Sequence, residues 1–117
     1  MENSSDAPSS SRASFPEKRE VPRFSFIATV TIVEHSSDMR IDGRISEISR
    51  KGCYVDVLNT LPVGTPIELK VARDQGDFST PARIIYVQEG IGMGVAFVET
   101  PPDQMTILDA WLTELRS

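Results

Sequence analysis

The sequence predicts a mainly β fold: six short strands in a closed or nearly closed antiparallel barrel, with one C-terminal α-helix packed on it. Three observations carry this reading. Between residues 24 and 98 apolar side chains recur at period two in six separate runs, which is how a strand with one buried face reads. Clusters of turn-forming residues separate the runs. After residue 98 the apolar period lengthens to that of a helix.

The first run, 24–34, places Phe24, Phe26, Ala28, Val30 and Ile32 on one side and Ser25, Thr29 and Thr31 on the other. Residues 35–38 form a polar turn, and 39–48 read as a second strand with Gly43 at a bulge or a close approach. Ser49 and Gly52 sit at the first and fourth positions of a type I turn. Cys53, Val55 and Val57 then alternate with Tyr54 and Asp56 as a third strand, until 59–64 breaks the pattern. In 66–72, Ile67, Leu69 and Val71 face in while Glu68 and Lys70 face out. A turn at 74–77 follows, and 82–88 and 93–98 make the last two strands, joined around 89–92. Thr100 is placed to cap a helix, with Pro101 at its first position and Asp103 at its third. Ile107, Leu108, Trp111, Leu112 and Leu115 form its apolar stripe.

The 117 residues make one domain, 18–117, preceded by a tail, 1–17. The tail is rich in Ser and Pro and too poor in apolar residues to offset chain entropy, so disorder is expected. No apolar stretch follows Met1, and none approaches the ~18 residues of a membrane span. A cytoplasmic protein without a membrane span is the expectation. The net charge of −5 disfavours nucleic acid polymers as partners. Two basic clusters stand out against it: Lys18, Arg19 and Arg23, then Arg44, Arg50 and Lys51. One cysteine and one histidine leave no internal disulfide, no cysteine-based zinc site and no nucleophile–base set. An enzyme, a metal or a cofactor is therefore not expected.

The chemistry lies in two short motifs. In Arg19-Glu-Val-Pro-Arg23, Val21 precedes a proline and is biased toward extended angles. Residues four apart on an extended chain point the same way, roughly 13 Å apart. A guanidinium forks onto a phosphate or onto O6 and N7 of guanine, and it stacks on purine faces. The plainer reading is two solvated charges at the end of a tail. The second motif is Glu47-Ile-Ser49-Arg50-Lys51-Gly52, between two strands. Its plainer reading is also available, since a type I turn favours Ser and Gly at these positions whether or not anything binds.

In this order and spacing the two motifs resemble the signature of the PilZ family, R-x-x-x-R followed by [D/N]-x-S-x-x-G. The resemblance implies a six-stranded barrel followed by a helix, and a receptor for the bacterial second messenger cyclic di-GMP. It implies a site made of Arg19, Arg23, Glu47, Ser49 and Gly52, with Glu47 and Ser49 at a guanine edge and Gly52 closing the turn. The sequence departs from the family at Glu47, where the signature has Asp or Asn. The carboxylate keeps its acceptors, but the extra methylene shifts them by about one bond and adds a rotor. With no effector domain fused to it, a stand-alone adaptor is expected, signalling to an effector protein of unknown identity by ordering of its arginine segment, flexible when free, on binding. The alternative is a degenerate PilZ-like module that binds no nucleotide and serves as an interaction domain. His35 reads as a loop residue, and Cys53 and Trp111 as core. Gly90, Gly92 and Gly94 imitate a phosphate loop but lead into a strand, not a helix.

Overall fold

The computed structural model describes residues 22–73 and 76–116. The tail 1–17, Arg19, and Asp74 and Gln75 of the turn at 74–77 lie outside the described residues. Six strands, β1 (Arg23–Glu34), β2 (Arg40–Ser49), β3 (Gly52–Asp56), β4 (Pro66–Arg73), β5 (Gly76–Gln88) and β6 (Gly92–Phe97), precede one helix, α1 (Pro102–Arg116). The strands close into a barrel in the order β1-β2-β3-β6-β5-β4, with β4 returning to β1 and every pair antiparallel. The fold is the one the sequence predicts.

Period-two alternation decides which side of each strand enters the barrel. Phe26, Ala28, Val30 and Ile32 of β1 are buried, as are Ile67, Leu69 and Val71 of β4, and they meet Ile45, Val55, Ile84 and Val95 in one core. The helix covers the part of this core that the strands leave open. Leu108, Trp111 and Leu112 are buried, with Ile107 and Leu115 packed beside them. Trp111 lies 5.7 Å from the Phe26 ring and 6.0 Å from Phe78, an edge-on contact with the latter. The Arg73 guanidinium caps this cluster at 5.0 Å from Phe26 and 5.1 Å from Trp111, and also pairs with Glu114 of α1 at 3.1 Å.

The other strand ends lie within one residue of the sequence reading, while the starts of β5 and of the helix differ for identifiable reasons. β5 begins at Gly76 instead of residue 82. Its first half pairs with β4 alone, the β6 register starting only at Ala82, so Pro81 sits where the strand has a single sheet neighbour. On the open side the Ser79 amide donates to the Gln104 side chain of α1 at 2.8 Å, so a helix residue stands in for a strand. The helix, in turn, starts one residue later than expected. Its first described bond runs from the Met105 amide to the Pro101 carbonyl at 2.9 Å, which makes Pro101 the flanking residue and Pro102 the first helical one. Thr100 does not cap: its hydroxyl meets the fully buried Thr80 hydroxyl at 2.8 Å and satisfies that group instead.

Cys53 packs into the core at the start of β3. Burial, with no compensating charge, pushes its thiol up to about 12. Native protein at pH 8 should therefore resist iodoacetamide, with alkylation at least tenfold faster once the chain is unfolded in urea. The sign of the linkage follows. Above about pH 8.5 the unfolded chain loses this proton while the folded chain keeps it, so stability should fall as pH rises through that range. Equal alkylation rates in the two states would show that the thiol is not enclosed.

Candidate functional site

The β1–β2 register brings Arg23, the last residue of the first motif, to the second motif. Arg23 is the Cα partner of Ser49, and Ser25 that of Glu47. The Arg23 Nη1 lies 3.4 Å from Glu47 Oε1, with the Arg23 side chain largely and the Glu47 side chain partly in solvent. Such an exposed pair is worth at most ~1 kcal/mol and is readily exchanged for another partner. Arg23, Glu47, Ser49 and Gly52 line one open cavity of about 210 Å³. Four of the five residues expected at the site are thus assembled at one place, and Arg19 lies outside the described residues.

The turn itself is built from Ser49. The hydroxyl of this buried residue accepts from the Lys51 and Gly52 amides, each at 3.2 Å, and donates to the Gly52 carbonyl at 3.3 Å. A hydroxyl has one proton and two acceptor sites, so all of its capacity is engaged inside the turn. Gly52 is held by a second constraint: a Cβ there would lie 2.2 Å from the Val95 carbonyl oxygen. The Phe97 amide donates to the Lys51 carbonyl at 2.8 Å, which ties the turn to the end of β6. Arg50 reaches the other way, its Nε 3.1 Å from Asp109 of α1. Arg44, from the same basic cluster, stands 4.0 Å from Asp56.

The rest of the cavity wall comes from residues that the motifs do not contain. Tyr54 of β3, Ile85 and Tyr86 of β5, and Gly94 of β6 all line it. Burial raises the Tyr86 phenol; Arg23 opposes the rise and Glu47 adds to it. Burial also raises Tyr54, with Tyr86 and Asp56 contributing. Both phenols are therefore neutral at physiological pH, and the Tyr54 hydroxyl donates to Gln88. The sequence signal for Tyr54 was present, since it alternates outward one residue past a strand start that follows the motif. Tyr86 carried none: simple alternation from the buried Ile84 points it inward. His35 lies in the β1–β2 turn, exposed and away from the cavity, and Gly92 and Gly94 are strand residues of β6.

A guanidinium, a carboxylate and an aromatic wall around an open cavity suit a planar, anionic, hydrogen-bonding ligand better than any bond-making step. Among the described residues no group of three or more His, Cys, Asp or Glu is placed to hold a metal ion. The Ser49 geometry makes its own prediction. Ser49→Ala leaves the Lys51 and Gly52 amides without their acceptor and should cost about 1–2 kcal/mol in urea unfolding with an unchanged m value. Unaltered stability would mean that the turn holds without its hydroxyl.

Comparison with known proteins places this geometry in a family. No curated protein matches the sequence. Among solved structures, the PilZ domain of YcgR from Escherichia coli, determined with c-di-GMP, superposes with a TM-score of 0.72 at 15% identity, over 86% of this chain and 92% of that one. The PilZ domain of CeSA from a cellulose-synthesizing bacterium gives 0.64 at 19% identity, over 82% and 99%. The Bacillus subtilis inhibitor of motility MotI/DgrA gives 0.67 at 17% identity, but this chain spans only 49% of it. At these identities the superpositions establish the barrel-and-helix fold. The PilZ domain model matches residues 17–114, most of the sequence and both motifs, and the chain belongs to the PilZ domain family.

Proposed function

We propose that this domain is a receptor for cyclic di-GMP and that Arg19, Arg23, Glu47, Ser49 and Gly52 serve the ligand. The observation that carries the reading is the assembly of Arg23 with the Glu47–Gly52 turn on one cavity wall. Arg23 supplies a forked cation for a phosphate or for the O6/N7 edge of a guanine. Glu47 supplies acceptors for the N1–H and N2–H₂ of the base, exchanging its weak contact with Arg23 for them. Ser49 and Gly52 act by holding the turn, since the Ser49 hydroxyl already bonds its own backbone. That YcgR's PilZ domain was determined with c-di-GMP supports the ligand class. The receptor then works as an adaptor: the residues ahead of Arg23, Arg19 among them, settle over the barrel with the ligand and present a new surface to a partner protein.

One observation favours a second reading, a barrel that has lost nucleotide binding and serves as an interaction module. Glu47 is longer than the family's Asp or Asn and faces Arg23, while Ser49 has no free hydrogen-bonding capacity. Calorimetric titration with cyclic di-GMP separates the two. Arg19→Ala and Arg23→Ala should each weaken binding by ~1.5–3 kcal/mol with little change in melting temperature. Glu47→Asp should bind at least as well as wild type and Glu47→Ala worse, because base donors are left unpaired. A wild-type protein silent at micromolar ligand establishes the second reading.

The adaptor step has its own measurement. Amide hydrogen exchange at residues 18–21 should slow when ligand is added to saturation. Unchanged exchange there, with binding intact, would remove the ordering step and leave the receptor.

A further inference from the structure

The cavity wall contains an aromatic row that neither motif explains. Tyr54 and Tyr86 are both Cα partners of Gly94, one from each side, so a glycine lies between two tyrosines across three strands. The missing side chain lets the two rings lean over it, to 6.0 Å between centroids at 33°. Tyr86 lies directly on the glycine, since a Cβ at Gly94 would stand 2.2–2.7 Å from its ring atoms. One ring face is therefore against the sheet.

The orientation of Tyr86 is an imposed one. Ile84 is fully buried, and strict alternation would bury Tyr86 as well. The register shifts between Ile84 and Tyr86, with two steps on β5 against one on β6, so a bulge inserts Ile85. Bulges of this kind re-aim side chains, and here two successive residues, Ile85 at 50% and Tyr86 at 46%, face solvent. An exposed aromatic and an exposed β-branched residue beside Arg23 and Glu47 make a flat apolar surface edged by one cation and one anion.

We infer that Tyr86, steadied by Gly94 and flanked by Tyr54, is a stacking platform for a purine base, whose edge then meets Arg23 and Glu47. The inference rests on the cyclic di-GMP reading and deepens it by assigning the base a face as well as an edge. Stacking on an aromatic ring suits any planar base, whereas the Glu47 carboxylate selects a base with adjacent N–H donors. The competing role for Tyr86 is cover for a strand glycine, which affects stability and not affinity.

The full chain is titrated calorimetrically with cyclic di-GMP as wild type, Tyr86→Phe and Tyr86→Leu, with the melting temperature of each recorded. Tyr86→Phe should bind within about threefold of wild type, and Tyr86→Leu at least ~5-fold more weakly, up to ~150-fold, the range for losing a base–aromatic stack. A leucine variant that binds like wild type overturns the platform and leaves the receptor reading intact. A phenylalanine variant that loses as much as the leucine one also overturns it, because the hydroxyl and not the ring face is then the contact. Absence of binding by wild type overturns the receptor reading and the platform with it. Should Tyr86→Leu fail to fold, wild-type protein decides: the guanine H8 resonance must move upfield on binding through the Tyr86 ring current, and an unmoved resonance rejects the stack.

Discussion

The β1–β2 pairing is the constraint on which the rest of this molecule depends. Its register is fixed from inside the barrel. Ala28, Val30 and Ile32 of β1 and Ile41, Ile45 and Ile48 of β2 are buried on one face, and a slip of one residue would turn an entire strand's apolar set into solvent. At ~1.5–3 kcal/mol for burying each large apolar side chain, such a slip is far outside thermal reach. The core thereby decides where the polar ends of the two strands fall. Arg23, the first residue of β1, comes to rest opposite Ser49, the last of β2. A motif split across 24 residues of sequence becomes contiguous for a reason that has nothing to do with its polar chemistry.

Irregularities in the ladders then shape the site that the register locates. The β1–β2 pairing has one between Ser25 and Ala28, the β2–β3 pairing one between Ile45 and Glu47, and the β5–β6 pairing one between Ile84 and Tyr86. Glu47 and Tyr86, at the ends of two of these shifts, both line the cavity. An extra residue in a strand changes which face the following side chains take. The barrel gives up regular pairing at these places, and the side chains it redirects are those with ligand-like chemistry: a carboxylate and an aromatic ring. The opposite side of the same turn is fastened to α1 through Arg50 and Asp109, so cavity and helix share a single short stretch of backbone.

What the sequence disclosed follows from the range of the forces involved. Alternation is local, so all six strands and the helical stripe through Leu108, Trp111 and Leu112 were legible. The first half of β5 was not, because Pro81 within a strand is tolerated only where one neighbour is missing, and that is a fact about topology. The position of Thr100 failed for a related reason: a good capping residue was taken by a non-local demand, the buried Thr80 hydroxyl. In the site, the motif spacing exposed Arg23, Glu47, Ser49 and Gly52 as a group. It carried no trace of Tyr86, whose outward aim depends on a bulge opposite Gly94, in a strand pairing that sequence periodicity does not encode.

The residues of the cavity divide by what the fold already requires of them. Gly52 is demanded by the Val95 carbonyl, and Ser49 by two turn amides. A barrel with no ligand at all would keep both, so their presence discriminates weakly between a receptor and a silent relative. Among the described residues, Arg23 and Glu47 show no comparable structural duty. Their mutual contact is exposed, and its weakness means the fold loses little if either changes. Tyr86 lies between these cases: one face covers Gly94, while nearly half of the residue is left exposed. Evidence for recognition is therefore concentrated in the groups that stability does not explain, and a variant that alters affinity without altering melting temperature is informative only at those positions. The two signature residues with the strongest structural reasons to be present are the ones whose substitution says least about the ligand.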